Sequence, residues 1–402
     1  MRALGVAAVV VATSVHAQEI VEIPPIAGDV SFEIEDLSSN GSVVLGHSWD
    51  GTPTKGLTPA IWSLDSGTRA LPMVLGAEAL RVFAISADGT TVVGHAIDPA
   101  TAKRVGVRWT RGGSVTIIPP SAEQTAVFAH DTNVDGSVVV GQVRLTDGSS
   151  RAYIWTQGGG LRLLEHPAAF ADSIAMAVDD SGATVVGFAQ AGHAAVPCLW
   201  NADGAVTVLP SSADSDYSIA QGISGDGRRV IGSWSDDLGT YFAYVWDQDS
   251  GLIDLGLGGE TNGVQSISRD GRIVAWASGS ESLIFDDELG LVNVRRYLEA
   301  RGLARQLPER LGVSGISSDG RTLVMAYVEG ADRQYVSAIL TNFTLPTNCP
   351  PDVDLNETLD AFDFLAFVNR FNAGDLRSDL DGDGTLTIAD FIAFQAAFAA
   401  GC

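Results

Sequence analysis

One short pattern recurs seven times along the middle of this 402-residue chain. Each copy opens with a turn sequence, usually Asp-Gly, and continues with Val, Ile or Thr residues, often up to a further Gly. Successive copies begin 44–49 residues apart, at 40–46, 88–94, 135–141, 180–187, 226–232, 270–275 and 319–325. Because a fixed period of this length is the signature of a repeat architecture, it constrains the fold more than any other feature.

Four strands are predicted in each repeat. Asp-Gly and Asn-Gly supply the positive φ angles of a tight turn, and the β-branched residues after it favour a strand. An apolar run usually ending in Trp follows, as at 153–155, then a third strand, as at 115–118, while a fourth precedes the turn, as at 82–85. Four short strands per repeat is the pattern of a propeller blade, so we predict an all-β, seven-bladed β-propeller. The alternative is an open β-solenoid, whose coils are usually shorter.

The last repeat lacks its final strand, because the chain leaves it soon after Ile339 and Leu340. The sequence Val-Glu-Ile-Pro-Pro at 21–25 resembles Thr-Ile-Ile-Pro-Pro at 116–120, where a final strand is predicted. We therefore expect residues 21–25 to complete the last repeat, which also removes an exposed sheet edge.

The N-terminus has the features of a secretory signal peptide. Arg2 precedes an apolar run at 3–12, and Val-His-Ala at 15–17 offers small residues at a cleavage site. We predict a signal peptide at 1–17, cleaved after Ala17. The run is too short to cross a bilayer, and no other segment has the ~20 apolar residues of a membrane span. The mature chain is expected to be secreted or extracellular, with cell-surface association as an option.

The net charge of −25 limits the partners of this chain. So acidic a surface repels nucleic acid and argues against binding to an anionic membrane surface. It is compatible with a secreted protein that binds calcium.

Two acidic loops near the C-terminus have the ligand spacing of EF-hand-like calcium loops, with oxygen donors at loop positions 1, 3, 5, 9 and 12. The second loop has Gly384 at position 6, whereas the first, 27 residues upstream, has Glu357 there and is expected to bind more weakly. Apolar runs at helical spacing follow at 364–367 and 391–394. The predicted Ca²⁺ ligands are Asp352, Asp354, Asn356, Asp360 and Asp363 in the first loop and Asp379, Asp381, Asp383, Thr387 and Asp390 in the second.

The three cysteines divide into a pair and a single residue. Cys349 and Cys402 bracket the calcium loops, and an exported chain meets an oxidising environment, so we predict a disulfide between them. Cys198 lies in an apolar strand two residues before Trp200, where a buried, inert thiol is expected in preference to a reactive one.

The paired loops at 349–402 resemble the type I dockerin, a small all-α calcium-binding module that docks onto a partner called cohesin. As in that family, each loop closes with Asp at position 12. Positions 10 and 11, which in the family help to select the cohesin, are residues 361–362 and 388–389 here, and most of them are apolar. The resemblance implies Ca²⁺ binding and a cohesin-like or cell-surface protein partner. The alternative is a calcium-stapled terminal cap without a partner.

The repeats resemble the HAF-repeat family of bacterial extracellular proteins. The resemblance is carried by Ile-Ser-Ala-Asp-Gly at 85–89, by Ile-Ser-Ser-Asp-Gly at 316–320 and by the Trp-ended runs. Residues 297–302 are similar to a helix found late in the family's repeats. The resemblance covers about 20–346 and implies an exported propeller, but it implies no particular reaction.

No strong catalytic motif is present: a nucleophile elbow, a phosphate loop and a paired-His zinc motif are all missing. His47 and His95 follow equivalent glycines. They could form a metal-binding pair, or they could simply occupy equivalent positions of the repeat without a shared function. His130 and Asp131 stand where other repeats have Ile-Ser, and such a break marks either function or drift. The inner positions look repetitive, and no convergent set of acids stands out.

Two classes of function follow. The first is an exported, non-catalytic propeller that binds a polysaccharide or protein ligand on one face and is attached to a surface or assembly through its calcium module. The second is a polysaccharide-active glycosidase or lyase with a dockerin-like tail. The predicted domains are the signal peptide at 1–17, the propeller at 18–346 and the calcium-binding domain at 347–402.

Overall fold

The structure is a computed structural model, and the residues that it describes are 18–52, 57–72, 80–212, 215–259, 264–278, 281–287, 289–301, 303, 311–317, 319–329, 334–344, 349, 351–353, 359–372, 378, 380, 385–401. The predicted signal peptide at 1–17 lies outside these residues and stays a prediction. The predicted domain boundary near residue 346 stays a prediction as well.

Antiparallel strands dominate the described chain and fall into seven consecutive units. Strand β1 (Glu19–Glu22) precedes the first unit. Unit one contains β2 (Ser31–Leu37), β3 (Val44–Trp49), β4 (Leu57–Ser63) and β5 (Gly67–Ala70); unit two contains β6 (Leu80–Ile85), β7 (Thr91–Ile97), β8 (Arg104–Thr110) and β9 (Val115–Ile118). Unit three contains β10 (Gln124–Thr132), β11 (Val138–Leu145), β12 (Ser150–Thr156) and β13 (Gly160–Leu163); unit four contains β14 (Asp172–Val178), β15 (Val185–Ala191), β16 (Ala194–Trp200) and β17 (Val206–Val208).

The remaining units have the same organisation. Unit five contains β18 (Tyr217–Ile223), β19 (Arg229–Ser235), β20 (Tyr241–Asp247) and β21 (Gly251–Gly259); unit six contains β22 (Val264–Ile267), β23 (Ile273–Ser278), β24 (Glu281–Asp286) and β25 (Gly290–Asn293). Unit seven contains β26 (Leu311–Ile316), β27 (Leu323–Glu329) and β28 (Gln334–Thr341). In each unit the strands pair in sequence order.

The N-terminal strand completes unit seven, as predicted. β1 pairs antiparallel with β28, in a register that runs from Glu19 opposite Thr341 to Glu22 opposite Ala338. The amide of Ile23 then donates to the carbonyl of Ser337 at 2.7 Å. The strand lies two residues earlier than expected, but its role is confirmed: the two ends of the repeat region are joined by a hydrogen-bonded edge.

The turn glycines have the backbone conformation that the sequence predicts. Their φ angles lie between +67° and +76°, at Gly41, Gly89, Gly136, Gly182, Gly227, Gly271 and Gly320. A side chain three residues before each glycine holds the turn together. In unit two, the Ser86 hydroxyl accepts from the Thr91 amide at 2.9 Å and donates to Asp88 at 2.6 Å. The Ser of the repeat is therefore a turn-forming residue.

The Trp-ended runs form the third strands and pack in the core. Trp109 and Trp200 are buried, and their indole N–H groups donate to the carbonyls of Pro72 and Glu165 at 3.1 and 2.6 Å. Cys198 is fully buried beside Trp200, as predicted, and burial raises the pKa of its thiol to about 12; its lack of reactivity stays a prediction.

Three helices are described: α1 (Val294–Ala300), α2 (Ala361–Asn372) and α3 (Ile388–Ala400). The first overlaps the helix expected from the HAF resemblance, and the other two follow the predicted calcium loops. Within the described residues, none of these helices is long and apolar enough to cross a membrane.

Candidate functional site

The first strands of all seven units end around one cavity of about 160 Å³. One lining residue from each unit, in chain order, is Asp36, Ile85, Asp131, Val178, Ile223, Ser266 and Ile316. Because every described unit contributes to its wall, this central cavity marks the common centre of the repeats.

Each first strand carries a β-bulge one or two residues before the residue that lines the central cavity. The unpaired residues at the bulges are Glu35, Phe83, His130, Met176, Gln221, Gln265 and Ser314. Bulges re-aim side chains and are common beside functional sites. The residue types at these seven positions differ, and they include an acid, an imidazole, two amides and apolar groups.

The bulges also explain why most turn-strand copies end in Gly. A Cβ at the second-strand glycine would collide with the carbonyl oxygen of the first strand at Gly46, Gly94, Gly141, Gly187 and Gly232. The glycine is needed for this close approach of two backbones, since none of these five has a positive φ.

Two aspartates on the wall of the central cavity join neighbouring units. Asp36 accepts hydrogen bonds from its neighbour Leu37 and from Ile85 of unit two, both at 2.7 Å. Asp131 repeats this geometry, accepting from Thr132 at 2.7 Å and from Val178 of unit four at 2.8 Å. Each carboxylate therefore accepts one backbone amide from its own unit and one from the following unit.

Burial raises the pKa of Asp36 to about 7, helped by the charges of Asp131 and Glu35 and opposed by the amide bonds. Burial likewise raises the pKa of Asp131 to about 6, against its amide bonds and the charge of Arg269. Both carboxyl groups thus titrate close to neutral pH, a property often found in active sites.

Arg269 of unit six spans the mouth of the central cavity. Its guanidinium forms an ion pair with Asp180 of unit four and donates to the Ser39 hydroxyl of unit one at 2.9 Å. Main-chain bonds link the same turns, since the Asp180 amide donates to Gly225 at 3.0 Å and the Gly225 amide donates to Arg269 at 2.8 Å. The polar groups at this end hold the units together.

His130 and Asp131 do not occupy the Ile-Ser position of the repeat, contrary to the sequence analysis. The amide of Val138 donates to the Asn133 side chain at 2.9 Å, so Asn133 takes the place of the turn Ser. Thr132 and Asn133, not His130 and Asp131, therefore replace Ile-Ser in unit three. The sequence alignment failed because an amide oxygen can accept the same turn hydrogen bond as a hydroxyl.

The buried His47 side chain contacts protein groups through both ring nitrogens. Its Nδ1 lies 3.1 Å from Glu35, and its Nε2 accepts from the Val82 amide of unit two at 3.2 Å. Among the described residues no group of three or more potential metal ligands occurs, and the contacts of His47 give no support to a metal pair with His95.

A second cavity, of about 410 Å³, opens beside units two and three and is lined by Arg81, Phe83, His95, Ile97 and Arg104. We call it the cationic pocket. Arg81 lies four residues before Ile85 on β6, so the pocket is about 13 Å from the central cavity along that strand.

Aromatic contacts hold His95 in the cationic pocket. Its ring centroid lies 5.2 Å from that of Phe83 and 5.1 Å from that of Phe128 in unit three. The Arg104 guanidinium lies 4.9 Å above the Phe128 ring, a cation–π distance. Sequence reasoning missed this site because its five lining residues are spaced irregularly over three strands of unit two, and Phe128 comes from a fourth strand in unit three.

The described part of the calcium loops contains Asp352, Asp360, Asp363, Thr387 and Asp390. The predicted ligands Asp354, Asn356, Asp379, Asp381 and Asp383 lie outside the described residues. Both position-12 aspartates are buried, and each accepts an amide from loop position 9, Asp363 from Asp360 and Asp390 from Thr387, at 2.8 Å. The two loops therefore close in the same way.

The two C-terminal helices pack on each other through equivalent phenylalanines. Phe367 and Phe394, both at position 16 counted from the start of their loops, stack with ring centroids 4.3 Å apart and an interplanar angle of 12°. Val353 completes the buried part of this cluster. Carboxylate oxygens are the donors that Ca²⁺ prefers, so these two buried side chains are compatible with a calcium ion.

Cys349 is buried, but its predicted partner Cys402 lies outside the described residues, so the disulfide stays a prediction. Cys198 is the free cysteine of the described chain.

Comparison with known proteins gives a likeness of fold alone. No family model and no curated protein matches the sequence. Among solved structures, an oligogalacturonate lyase from Vibrio parahaemolyticus aligns with a TM-score of 0.55 and 12% identity, over 83% of this chain and 95% of the lyase. An oligogalacturonate lyase in complex with manganese aligns at 0.52 and 13%, over 81% and 96%.

The chain has a β-propeller-like fold. A weaker match, to TolB from Acinetobacter baumannii, has a TM-score of 0.45 and 12% identity; it covers 80% of this chain and 65% of TolB, less than two thirds of that protein. At these identities the likenesses establish the architecture, and the reaction or ligand must be argued from this chain's own residues.

Proposed function

We propose that this protein is an exported, non-catalytic, seven-bladed propeller of the HAF-repeat type that binds a ligand or partner. Its dockerin-like C-terminal module binds Ca²⁺ and attaches it to a cohesin-like or cell-surface protein. The proposal includes secretion, a disulfide between Cys349 and Cys402, and a role for residues 347–402 as a separate domain.

The main support for a non-catalytic role is how the polar groups at the central cavity are used. Asp36 and Asp131 accept two amides each, and Arg269 is paired with Asp180. A cavity of about 160 Å³ is also small beside the ~300 Å³ or more of a typical ligand pocket. These groups stabilise the ring of units and leave little room for a polysaccharide.

The calcium module is tested by titrating the full-length chain with Ca²⁺ in a calorimeter. We expect about two ions per chain, as in a paired-loop module. Asp363→Asn and Asp390→Asn should each weaken one site at least tenfold, an effect of about 1.4 kcal/mol. Asp203→Asn, at an exposed turn of unit four, is the matched control. Absence of Ca²⁺ binding, or equal binding by all variants, refutes this part of the proposal.

A polysaccharide-active enzyme is the second candidate, favoured by the raised pKa values of Asp36 and Asp131 at a shared cavity. Reducing-end release and absorbance of unsaturated products, followed on a panel of polysaccharides, test it. Turnover that disappears in Asp36→Asn or Asp131→Asn, with the fold retained, would replace the non-catalytic assignment.

A further inference from the structure

The cationic pocket brings positive charge together on a very acidic protein. Arg81 and Arg104 both line it, although the chain has a net charge of −25. Within the described part of the chain, neither side chain has a carboxylate partner. Two guanidinium groups facing one cavity, without a local counter-ion, form a site for an anion.

His95 provides an independent indication of a ligand. Its side chain is buried, with the residue 7% exposed, yet Nδ1 has no hydrogen-bond partner. A buried polar atom without a partner costs free energy unless something binds to it. Since His95 lines the pocket, the missing partner is a group that enters the pocket.

The protonation state of His95 determines which ligand group it accommodates. Burial, together with the charges of Arg104, His130, Arg81 and His47, lowers the pKa of His95 to about 3. The imidazole is therefore neutral at physiological pH and offers one N–H or one lone pair, while the arginines supply the positive charge.

The pocket also has flat apolar surfaces. Phe83 lines it directly, and Phe128 lies beneath the Arg104 guanidinium. Aromatic rings of this kind pack against the apolar face of another ring. The volume of about 410 Å³ lies within the range of small-molecule sites.

We propose that the cationic pocket binds a ligand in which a carboxylate is attached to a six-membered ring. Arg81 and Arg104 bind the carboxylate, His95 bonds a polar atom of the ligand through Nδ1, and the ring packs against Phe83. A sugar acid and an aromatic acid share this chemistry. The inference rests on the proposed binding function and assigns it a ligand class and a place on the propeller.

Calorimetry on the calcium-loaded, full-length chain tests the proposal with two matched pairs of probes, glucuronate against glucose and benzoate against benzyl alcohol. We expect each acid to bind more tightly than its neutral counterpart, by about tenfold for each charge-assisted bond lost. The acid with the larger gain identifies the ring chemistry. In parallel, side-chain NMR should show that the His95 resonances move when the acid is added.

Arg81→Gln and Arg104→Gln should each weaken acid binding by about tenfold, since each removes one guanidinium–carboxylate contact. Arg111→Gln is the control, because it removes the same charge from an exposed turn position that follows β8. Arg104→Gln also removes the contact with the Phe128 ring and could destabilise the fold. Arg81 is exposed, so Arg81→Gln should fold normally and tests the pocket on its own.

Three outcomes overturn the assignment: no binding of either acid, equal binding of acids and neutral analogues, or acid binding that Arg81→Gln leaves unchanged. In the third case the propeller still binds acids, so the proposed binding function stands while the pocket is refuted. The calcium titration tests the proposed C-terminal attachment module independently, because the calcium loops and the cationic pocket share no residue.

Discussion

The repeat region and the C-terminal helical region are stabilised in different ways. In the repeats, buried apolar residues from neighbouring units pack together, and the first and last strands are hydrogen-bonded to each other. In the helical region the buried cluster consists of Val353, Phe367 and Phe394. It lies beside Asp363 and Asp390, whose carboxylates are fully buried.

This difference teaches that one chain combines two routes to stability. A repeat buries each sheet face against its neighbour and depends on closure of its ends. A small helical module buries little core, and a metal or a disulfide often supplies the further stability that such modules need. Perturbations aimed at one region should therefore leave the other unchanged.

Removal of calcium should produce the largest difference between the two regions. On addition of a chelator we expect α2 and α3 to lose most of their helical signal, because metal binding and folding are coupled in modules of this kind. The strand signal of the repeats should not change. Circular dichroism of the full-length chain, with Ca²⁺ re-added as a reversal control, measures both. Retention of the helices without Ca²⁺ would show that their small core is sufficient.

Deletion of residues 19–23 should have the next largest effect, and on the repeats alone. The deletion removes β1 and the buried Ile23, which leaves β28 as an exposed edge. The free energy of unfolding should fall by more than the ~2 kcal/mol expected for Ile23 alone, and the chain should aggregate. Chemical denaturation and sedimentation measure this. Glu19→Gln, which keeps the strand, should behave like the wild type.

Phe367→Ala should destabilise the calcium-loaded helical region by about 3–5 kcal/mol, because it removes a stacked, buried ring. Phe362→Ala is the matched control on the same helix, since Phe362 is 66% exposed and its loss should cost less than about 0.5 kcal/mol. Thermal unfolding followed at a helical wavelength compares them. A shift in the unfolding of the repeats would mean that the two regions unfold as one.

The stability of the repeat region should depend on pH through two carboxyl groups at the central cavity. The folded pKa values of Asp36 and Asp131, about 7 and 6, lie above the unfolded value of 3.8. As pH rises from about 4 to about 7, the unfolded chain therefore loses these two protons at a lower pH than the folded chain does. The free energy of unfolding of the repeats should fall as pH rises through this window. Denaturation at several pH values in that window should show a smaller loss in Asp36→Asn/Asp131→Asn than in the wild type or Asp203→Asn.

The smallest expected difference is in the number of cysteine thiols that react in the native, denatured and reduced chain. The native chain without reductant should contain no reactive thiol, because Cys198 is buried with a pKa of about 12 and the other two cysteines are predicted to be paired. After denaturation one thiol should react, and three should react after reduction. A native chain with two reactive thiols would refute the disulfide while leaving the assignment of Cys198 intact.

Features that depend on local sequence were predicted well. The positive φ of Gly41, the strand after it and the third strand that contains Trp62 follow from residues close together in the chain. The closing strand was predicted from a five-residue sequence similarity. It begins two residues and ends three residues earlier than expected, because strand limits depend on the pairing partner β28.

Features that join different repeats were missed. The role of Asp131 depends on the amide of Val178, which lies 47 residues away, and nothing near Asp131 in the sequence indicates that contact. The bulges likewise depend on how two strands pair. The glycine at the end of five copies was visible in the sequence, but its cause, the close approach of a carbonyl from the paired strand, was not.

The sequence by itself determined the number of repeats, the turns, the way the repeats close and the spacing of acidic residues in the calcium loops. These properties are periodic or local, so neighbouring residues specify them. Only the tertiary structure decided that Arg81, His95 and Arg104 share a pocket beside Phe128, and that Asp36 and Asp131 bind amides of adjoining units. Those contacts depend on strand pairing within unit two and on packing between units, which bring together residues that are far apart in the sequence.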